Sequence, residues 1–519
     1  MKTKKIGRVR PRKISRREFL KTAAGVGAIA AGPSVFHILG RRSYAAGKTA
    51  RALLIPSPLI TPGAMNSANA ANTSSCIYDW LFRLEGKEQK FVNSLAESVE
   101  HSKDMSRWTF KLREKVKFHH GTELTADDVL FTVDRWLQKL GAPIGGMFTH
   151  LDKVEKVDRY VARFNLKRPD PDFLVKFLDY NAAILAHDYD YKTHGNTKPS
   201  GTGAFKVANY SVGQRMLLER NRDYFIPDLP KVDNLEFSFI PETQTQVMML
   251  ESGEADIIRY LGLDYVTRYQ NHPTVDLQTV ESAWHHTIAM RCDQPPFDDN
   301  RVRLAMKYCV DRPKMLKSAA YGYGILANDN PIWPKNIWYT DIGMRERNID
   351  KAKELLAQAG YPKGLDVEIF CSSNFPPALE QVLTFQEMAK DAGIIVQVRA
   401  STRDIYLAKY WQKVSCQCTD WGHRENPLDL VSVNLISTAP WNESHYKNPD
   451  FDKLVNDAMT EADPVRRKEI FKKIEILLSE EGPSIIPFFY NSFAAVRKGV
   501  KGFQVTRNMI NDYRFVDMG

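Results

Sequence analysis

The sequence predicts an α/β protein of several domains, and three observations support this prediction. Short runs rich in β-branched and aromatic residues alternate along the chain with helical patterns. At 519 residues, the chain is several times longer than a typical single domain. Hydrophobic residues make up 43% and charged residues 26% of the sequence, a balance that argues against disorder and against many membrane spans.

Local patterns predict individual elements in chain order. Bulky and polar residues alternate over 108–113, as in a half-buried strand. Thr125 precedes a helical pattern with acidic residues in its first turn, so we expect Thr125 to cap that helix. A second helix is predicted with Asp350 as its cap and Gly360 at its end, and the run 365–371 indicates the next strand.

The net charge of +10 is concentrated at the N-terminus. Residues 1–45 contain 12 lysines and arginines and one acidic residue, whereas the rest of the chain has a net charge of −1. A nucleic-acid groove requires clustered positive charge to displace counterions. We therefore expect no nucleic-acid partner.

Residues 1–45 resemble a twin-arginine export signal. The motif Ser-Arg-Arg-Glu-Phe-Leu-Lys, with Arg16 and Arg17 as its pair, precedes a weakly apolar stretch rich in Ala and Gly. Small residues at Ser43 and Ala45 predict cleavage after Ala45, within one or two residues. The resemblance implies that the twin-arginine translocase exports the folded chain to the periplasm. A permanent membrane anchor is the alternative, but Gly, Pro and His residues make this stretch a poor span.

Six cysteines lie in the predicted mature chain, too few for a disulfide scaffold. Cys416 and Cys418 are two residues apart on a predicted strand and should face the same side of a sheet. A metal site that includes His423 is conceivable, but zinc needs three or four ligands and no convincing further ligand is nearby. Two small buried hydrophobic residues are the favoured interpretation, and we predict no metal and no cofactor.

A family resemblance extends over nearly all of the predicted mature chain. The segments that carry it, in the family's order, are 95–99, 108–121, 124–129, 201–205, 250–257, 296–306 and 352–360. They resemble the signature of the family 5 extracellular solute-binding proteins, the dipeptide-, oligopeptide- and nickel-binding receptors of ABC importers. His120 stands where the family usually has Asp.

This resemblance implies the architecture of a two-lobed periplasmic binding protein of cluster C type, with an inserted domain and a hinge crossed by two strands. Lobe I is expected to comprise 46–82, 200–280 and 488–519, the inserted domain 83–199, and lobe II 281–487. Closure about the hinge would bury the ligand and expel water, which strengthens polar contacts in the cleft.

The segment around Trp421 departs from peptide-binding relatives, in which an Asp three residues after the Trp pairs with the peptide's α-amino group. Here either His423 or Arg424 occupies that place, depending on whether the count starts at Trp421 or at the following proline. Neither can neutralise a buried ammonium, so recognition of free peptide N-termini is not expected. Arg424 would suit a carboxylate or phosphate. Alternatively, Arg424 pairs with Asp420 or Glu425 outside the cleft.

Further candidates follow from position. Trp421 matches the family Trp that flanks the cleft, with core packing as the alternative. Strand alternation would direct either Trp284 and His286, or His285 alone, into the cleft, and a core or hinge role is the favoured alternative for any one of them. The loop at 62–66 lies where relatives have a pocket-lining loop, although it lacks the Leu-Asp-Pro sequence of that loop. The predicted ligand-binding residues are Trp421, Arg424, His423, Asp420, Trp284, His286, Met65 and Asn66.

The predicted function is therefore capture of a small solute, peptide-like or a modified or anionic compound, by a monomeric periplasmic protein. The receptor would deliver this solute to the permease subunits of an ABC importer without catalysis. A sensory receptor that presents its ligand to a membrane sensor would use the same fold. An enzyme is a less favoured alternative because the sequence lacks a Gly-x-Ser-x-Gly elbow, a His-Glu-x-x-His pair and a phosphate loop. No catalytic residue is predicted.

Overall fold

The computed structural model describes residues 47–57, 60–65, 68–86, 89–138, 144–508 and 510–519. The predicted export signal, with Arg16, Arg17 and Ala45, lies outside these residues. Residues 48–519 form one compact unit. Among the described residues, the helices are too short or too polar to cross a membrane.

Strands and helices alternate along the described chain. The strands are β1 (Thr49–Leu54), β2 (Phe82–Glu85), β3 (Lys90–Asn93), β4 (Ala96–His101), β5 (Arg107–Leu112), β6 (Leu151–Asp158), β7 (Val161–Leu166), β8 (Phe205–Ser211), β9 (Arg215–Arg220), β10 (Asn234–Phe239), β11 (Ile257–Ile258), β12 (Val275–Met290), β13 (Gly324–Leu326), β14 (Leu365–Ser372), β15 (Ile394–Ser401), β16 (Cys416–Trp421), β17 (Ser484–Ile485) and β18 (Phe488–Arg497).

The helices connect these strands and cover the sheets. They are α1 (Ala68–Ile77), α2 (Ala126–Leu137), α3 (Ile144–Met147), α4 (Tyr191–His194), α5 (Thr243–Ser252), α6 (Val266–Tyr269), α7 (Asn300–Tyr308), α8 (Arg312–Ala320), α9 (Ile349–Gln358), α10 (Ala378–Ala389), α11 (Arg403–Lys409), α12 (Pro427–Asn434), α13 (Pro449–Thr460) and α14 (Pro464–Glu481). Short 3₁₀ turns occur at Val175–Leu178, Leu263–Tyr265, Lys390–Ala392 and Tyr513–Phe515.

The local predictions are confirmed with one correction. Strand β5 buries every second residue, as its alternation predicts. Thr125 begins α2, and its amide donates to Asp128 Oδ2 at 2.7 Å as part of a capping box. Helix α9 instead begins after Asn348, whose side chain accepts from the Lys351 amide at 2.9 Å. Asp350 is therefore a first-turn residue and not the predicted cap.

A large mixed sheet runs through the molecule in the order β15-β14-β16-β12-β18-β11-β1-β10-β9-β8. Its middle consists of the two longest strands, β12 and β18, which run antiparallel. The N-terminal part of β12 pairs with β18, and its C-terminal part pairs with β16. These two strands therefore connect one half of the sheet to the other, as the predicted two-strand hinge requires.

A separate four-stranded sheet, in the order β4-β5-β7-β6, lies within the predicted inserted domain. It packs on an aromatic cluster in which the Phe110 and Phe164 rings are 5.0 Å apart and the Phe173 and Phe177 rings 5.2 Å apart. Each such pair adds about 0.5–1.5 kcal/mol beyond simple burial. The α/β class and the additional domain are confirmed, while the domain boundaries stay a prediction.

Gly201 and Gly203 are needed for close packing and not for unusual backbone angles. A Cβ atom on either residue would collide with the main chain at Ile77. The amide of Gly203 also donates to the Ile77 carbonyl at 2.8 Å. This contact joins α1 to the segment that leads into β8.

Candidate ligand-binding site

A cavity of about 320 Å³ lies where the three predicted domains meet. The described residues that line it are Ile55, Asn69, Leu84, Met147, Val175, Leu178, Asp179, Tyr180, Arg259, Tyr260, Trp284, Phe375, Arg403, Asp420, Gly422, His423, Arg424, Glu425, Asp429, Asn508 and Ile510. Each predicted domain contributes to this wall. Closure of two lobes on a ligand would enclose such a space.

Trp284 forms the indole wall of the cavity. It follows an irregularity in the β12–β18 pairing between Val280 and Trp284, where β12 leaves one partner strand for another. Irregularities of this kind redirect side chains. The indole lies against Gly422, where a Cβ would stand 3.2 Å from Trp284 Cζ2. The glycine therefore leaves room for the aromatic wall.

Trp421 does not line the cavity, which corrects the expectation that it flanks the cleft. Asp420 faces the cavity, and strand alternation directs the next side chain to the opposite face. There the Trp421 indole donates to Glu443 Oε1 at 2.9 Å, and the side chain is buried. The core alternative holds for Trp421, while Trp284 supplies the indole at the cavity.

His286 and Met65 also lie away from the cavity wall. His286 is 1% exposed, its ring is stacked 5.6 Å from the Tyr490 ring, and the tilted Phe375 ring lies 6.0 Å away. Met65 is fully buried, and its backbone amide donates to Asn181 Oδ1 at 3.0 Å. Packing against other segments, which the local sequence does not reveal, covers both side chains, and His286 lies in the core as its alternative expects. Asn66 lies outside the described residues.

Asp420 reaches the cavity already paired with a cation. Arg403 Nη1 donates to Asp420 Oδ1, and Nη2 donates to Oδ2 at 3.2 Å. Burial alone would raise the pKa of Asp420, but the charge and hydrogen bonds of Arg403 outweigh burial and lower it. The guanidinium also lies 4.1 Å from the Phe375 ring centroid. Asp420 therefore has little charge left for a ligand ammonium.

His423 is a neutral hydrogen-bonding group at the wall. Its Nδ1 accepts from the Ala283 amide at 2.9 Å, so Nε2 carries the proton and donates to Glu425 Oε1 at 3.0 Å. Burial lowers the pKa of His423, although Glu425 opposes this change. Both ring nitrogens are therefore occupied by protein partners.

Arg424 lines the cavity without a carboxylate partner among the described residues within the 4.0 Å ion-pairing limit. Its Nη1 donates to the His423 carbonyl at 3.2 Å. The alternative in which Arg424 pairs with Asp420 or Glu425 is not realised, because those carboxylates are engaged by Arg403 and His423. Among the predicted ligand-binding residues, Arg424 is thus the cation whose charge is available to a ligand at the cavity wall.

Two wall carboxylates, Asp179 and Asp429, were not predicted from the sequence. Burial raises the pKa of both, and the Arg424 charge opposes this rise in each case. The pKa of Asp429 reaches about 7. Asp429 follows Asn426, which caps α12, and such a position ordinarily indicates a solvated first-turn residue. No local signal distinguishes it as a cavity residue.

Two of the cysteines, Cys416 and Cys418, are buried components of the large sheet. They lie on β16 and are 0% and 1% exposed. Within the described part of the chain, no three metal-binding side chains come together. The mixed set of charged and aromatic groups at the cavity can instead hold a small polar molecule by hydrogen bonds and ion pairs.

Comparisons with known proteins agree with this architecture. A family model described as "Bacterial extracellular solute-binding proteins, family 5 Middle" matches residues 90–443. The chain belongs to this family, which confirms the predicted resemblance. Members are binding proteins and not enzymes, they are periplasmic or extracellular, and they bind small ligands and work with ABC transporter permeases.

The matches to individual relatives cover most of this chain. The glutathione-binding protein GsiB of Escherichia coli (strain K12) is 27% identical over 464 residues, 86% of this chain and 90% of GsiB. DppA from Helicobacter pylori, solved with the peptide STSA, has a TM-score of 0.79 at 24% identity and covers 91% of this chain and 98% of its own. AgaA from A. tumefacien R10, solved with agropinic acid, has a TM-score of 0.78 at 23% identity. The match covers 89% of this chain and 96% of the AgaA chain. The two-lobed fold is therefore confirmed.

Proposed function

We propose that this solute-binding protein captures a small, peptide-like or modified solute through an anionic group and delivers it to an ABC importer. The proposal depends on one observation: Arg424 lies on the cavity wall, and no carboxylate among the described residues is within ion-pairing distance. A guanidinium suits a carboxylate or phosphate because its N–H groups match two oxygens at once.

Trp284 provides a second donor at the same wall. Its indole Nε1 is buried and has no hydrogen-bond acceptor among the described residues. An unsatisfied buried donor costs free energy, about 1–3 kcal/mol, which an oxygen of a bound solute would recover. The indole also offers an apolar face to the non-polar part of a ligand.

The size of the cavity favours a small molecule. A volume of about 320 Å³ lies at the lower end of the range for small-molecule sites. Glutathione, which the relative GsiB binds according to its name, is a peptide-like compound with carboxylates. It is therefore a suitable first probe.

Export by the twin-arginine translocase, with cleavage near Ala45, would bring the protein to the periplasm. The paired Arg16 and Arg17 and the following weakly apolar stretch support this route. We propose that the mature protein acts there as a monomer. The test is replacement of both arginines by lysine, which should leave the precursor in the cytoplasm and abolish the periplasmic form.

The ligand is tested by thermal unfolding of the purified protein with glutathione, free and N-blocked peptides, sugar conjugates, organic acids and divalent metals. A ligand at 100 times its Kd stabilises by about 2.7 kcal/mol, so the melting temperature should rise clearly. Arg424→Ala should weaken binding of the identified compound by about 2–5 kcal/mol. Arg399→Ala, which changes an exposed strand arginine away from the cavity, is the matched control. Unchanged affinity in Arg424→Ala would refute the proposal.

A further inference from the structure

Four buried cationic side chains lie in predicted lobe II, outside the wall of the ligand cavity. Arg303 and Lys307 belong to α7, Arg312 begins α8, and Arg345 lies in the segment before α9. All four are at least nine-tenths buried. Charged side chains are rarely buried unless groups of opposite charge compensate them. We call these four residues the cationic cluster.

Two members of the cationic cluster, Arg312 and Arg345, share one buried carboxylate. Oδ2 of Asp329 accepts from Arg312 Nη2 at 2.5 Å and lies 3.7 Å from Arg345 Nε. The other oxygen of Asp329 accepts from the Ile486 amide at 3.2 Å, so both oxygens are engaged. Arg345 Nη2 also donates to Glu480 Oε1 at 2.7 Å, but the Glu480 side chain is 57% exposed. In the described part of the chain, Asp329 is thus the one buried carboxylate that ion-pairs with the cluster.

Main-chain oxygens at the C-terminal end of α14 connect the remaining cations to this pair. Lys307 Nζ donates to the Ser479 carbonyl at 2.9 Å, and Arg345 Nη2 donates to the same oxygen at 3.0 Å. Arg303 Nη2 donates to the Glu481 carbonyl at 2.8 Å. The helix dipole places about half a negative charge at this end of the helix. That half charge and one buried carboxylate do not balance four buried cations.

Part of the hydrogen-bonding capacity of the cationic cluster has no acceptor among the described residues. Nε of Arg303, Nε and Nη1 of Arg312, and Nε of Arg345 are buried and without a hydrogen-bond partner. Buried polar atoms in native proteins are nearly always satisfied by protein groups, ordered water or an ion. These donors belong to guanidinium groups in a region of excess positive charge. An anion suits them better than neutral water, because charge-assisted hydrogen bonds are the stronger kind.

We propose that the cationic cluster binds a small inorganic anion, with chloride as the fitting species. Chloride needs little more space than a water molecule, whereas sulfate or phosphate would need a larger cavity in a close-packed region. The bound anion would accept from the unpartnered donors and neutralise the excess positive charge. It would thereby hold α7 and α8 against the end of α14. This site is separate from the ligand cavity, so the inference does not rest on the proposed function.

Lys307 makes a pH readout available. Burial lowers its pKa to about 7; Asp329 opposes this change, whereas Arg345, Arg303 and Arg312 add to it. A bound anion favours the protonated amine, so binding should take up a proton. Affinity for chloride should therefore rise up to about tenfold from pH 8 to pH 6.

The first experiment measures thermal unfolding of the purified protein in sodium chloride, sodium bromide and sodium gluconate at one ionic strength. Gluconate is too large for the cluster, so it provides equal screening without a fitting anion. The melting temperature should be at least about 2 °C higher in chloride or bromide, and the difference should grow from pH 8 to pH 6. Lys307→Met should reduce this difference. Lys353→Met, which changes an exposed lysine of α9, is the matched control and should preserve it.

A second experiment locates the anion. Crystals grown with bromide in place of chloride should show an anomalous peak beside Arg312. This measurement uses the unmodified protein, so it decides the question even if Lys307→Met does not fold. Arg424→Ala should retain the halide effect, because its loss there would assign the effect to the ligand cavity. Equal melting temperatures in the three salts, or bromide at Arg424 alone, would overturn the inference and leave water as the occupant of the cluster.

Discussion

Asp172 and Arg467, separated by 295 residues in the chain, share a buried ion pair in which Nη1 of Arg467 donates to Oδ1 of Asp172 at 2.8 Å. Asn426 Nδ2 donates to Oδ2 of the same carboxylate at 2.8 Å. Asn426 caps α12, whose first turn contains Asp429. The pair and Asn426 therefore join the segment before Val175–Leu178 to α12 and α14.

Replacement of Arg467 by Ala should lower the free energy of unfolding by about 3–5 kcal/mol, because Asp172 would remain buried without its cation. Arg467 also packs 4.6 Å from the Trp338 ring centroid, so its stem and charge are both lost. Urea unfolding followed by circular dichroism measures the effect. Arg466→Ala, the exposed neighbour on α14, is the control and should change stability far less. Equal effects of the two substitutions would contradict the prediction.

Substitution of Gly422 should disturb the aromatic wall. A Cβ at this position lies 3.2 Å from Trp284 Cζ2, so Gly422→Val must displace the indole. We expect at least a tenfold loss of affinity for whichever ligand the thermal panel identifies, measured by calorimetry. Gly146→Ala is the control, since a Cβ there meets no atom within 4 Å. Retention of full affinity by Gly422→Val would show that Trp284 does not contact the ligand.

The buried carboxyl of Glu443 should make stability depend on pH. Burial raises its pKa from the ordinary 4.5 to about 7, although hydrogen bonds from Trp421 and Trp411 oppose the rise. Between pH 4.5 and pH 7 the folded state therefore keeps a proton on Glu443 that the unfolded state has lost. The stability that Glu443 contributes is complete below pH 4.5 and is lost as the pH rises through 7. In Glu443→Gln, the fall in unfolding free energy between pH 5 and pH 8 should shrink by roughly 1–3 kcal/mol.

Urea unfolding at both pH values checks the prediction for Glu443. Glu346→Gln changes an exposed glutamate and should preserve the pH dependence of the unmodified protein. The same fall with pH in Glu443→Gln and in the unmodified protein would assign the effect to other groups.

The sequence predicts best what adjacent residues determine. The cap at Thr125, the alternation of β5 and the family order of segments are local signals, and the structure agrees with each. The predicted cap Asp350 lies two residues after the observed cap Asn348. Asn and Asp are both good caps, and the sequence pattern does not distinguish the two positions.

The candidate site depends on contacts between distant segments, and there the sequence is less informative. Strand alternation correctly groups Trp284 with His286 on one face of β12, but it does not say that Phe375 and Tyr490 cover His286. Trp421 is placed by its bond to Glu443, a partner 22 residues away. Asp179 and Asp429 reach the cavity only when the inserted region meets α12, which no local pattern encodes.

The position of β18 in the large sheet constrains the order of folding. This strand pairs with β11 and β12, and more than 200 residues separate it from β11 in the chain. Strands made earlier in translation, such as β1 and β11, must therefore wait until β18 has been synthesised before their sheet is complete. Such long-range pairing makes folding slow and leaves early strand edges exposed. A nascent chain of this protein should need protection from aggregation until β18 is free to pair.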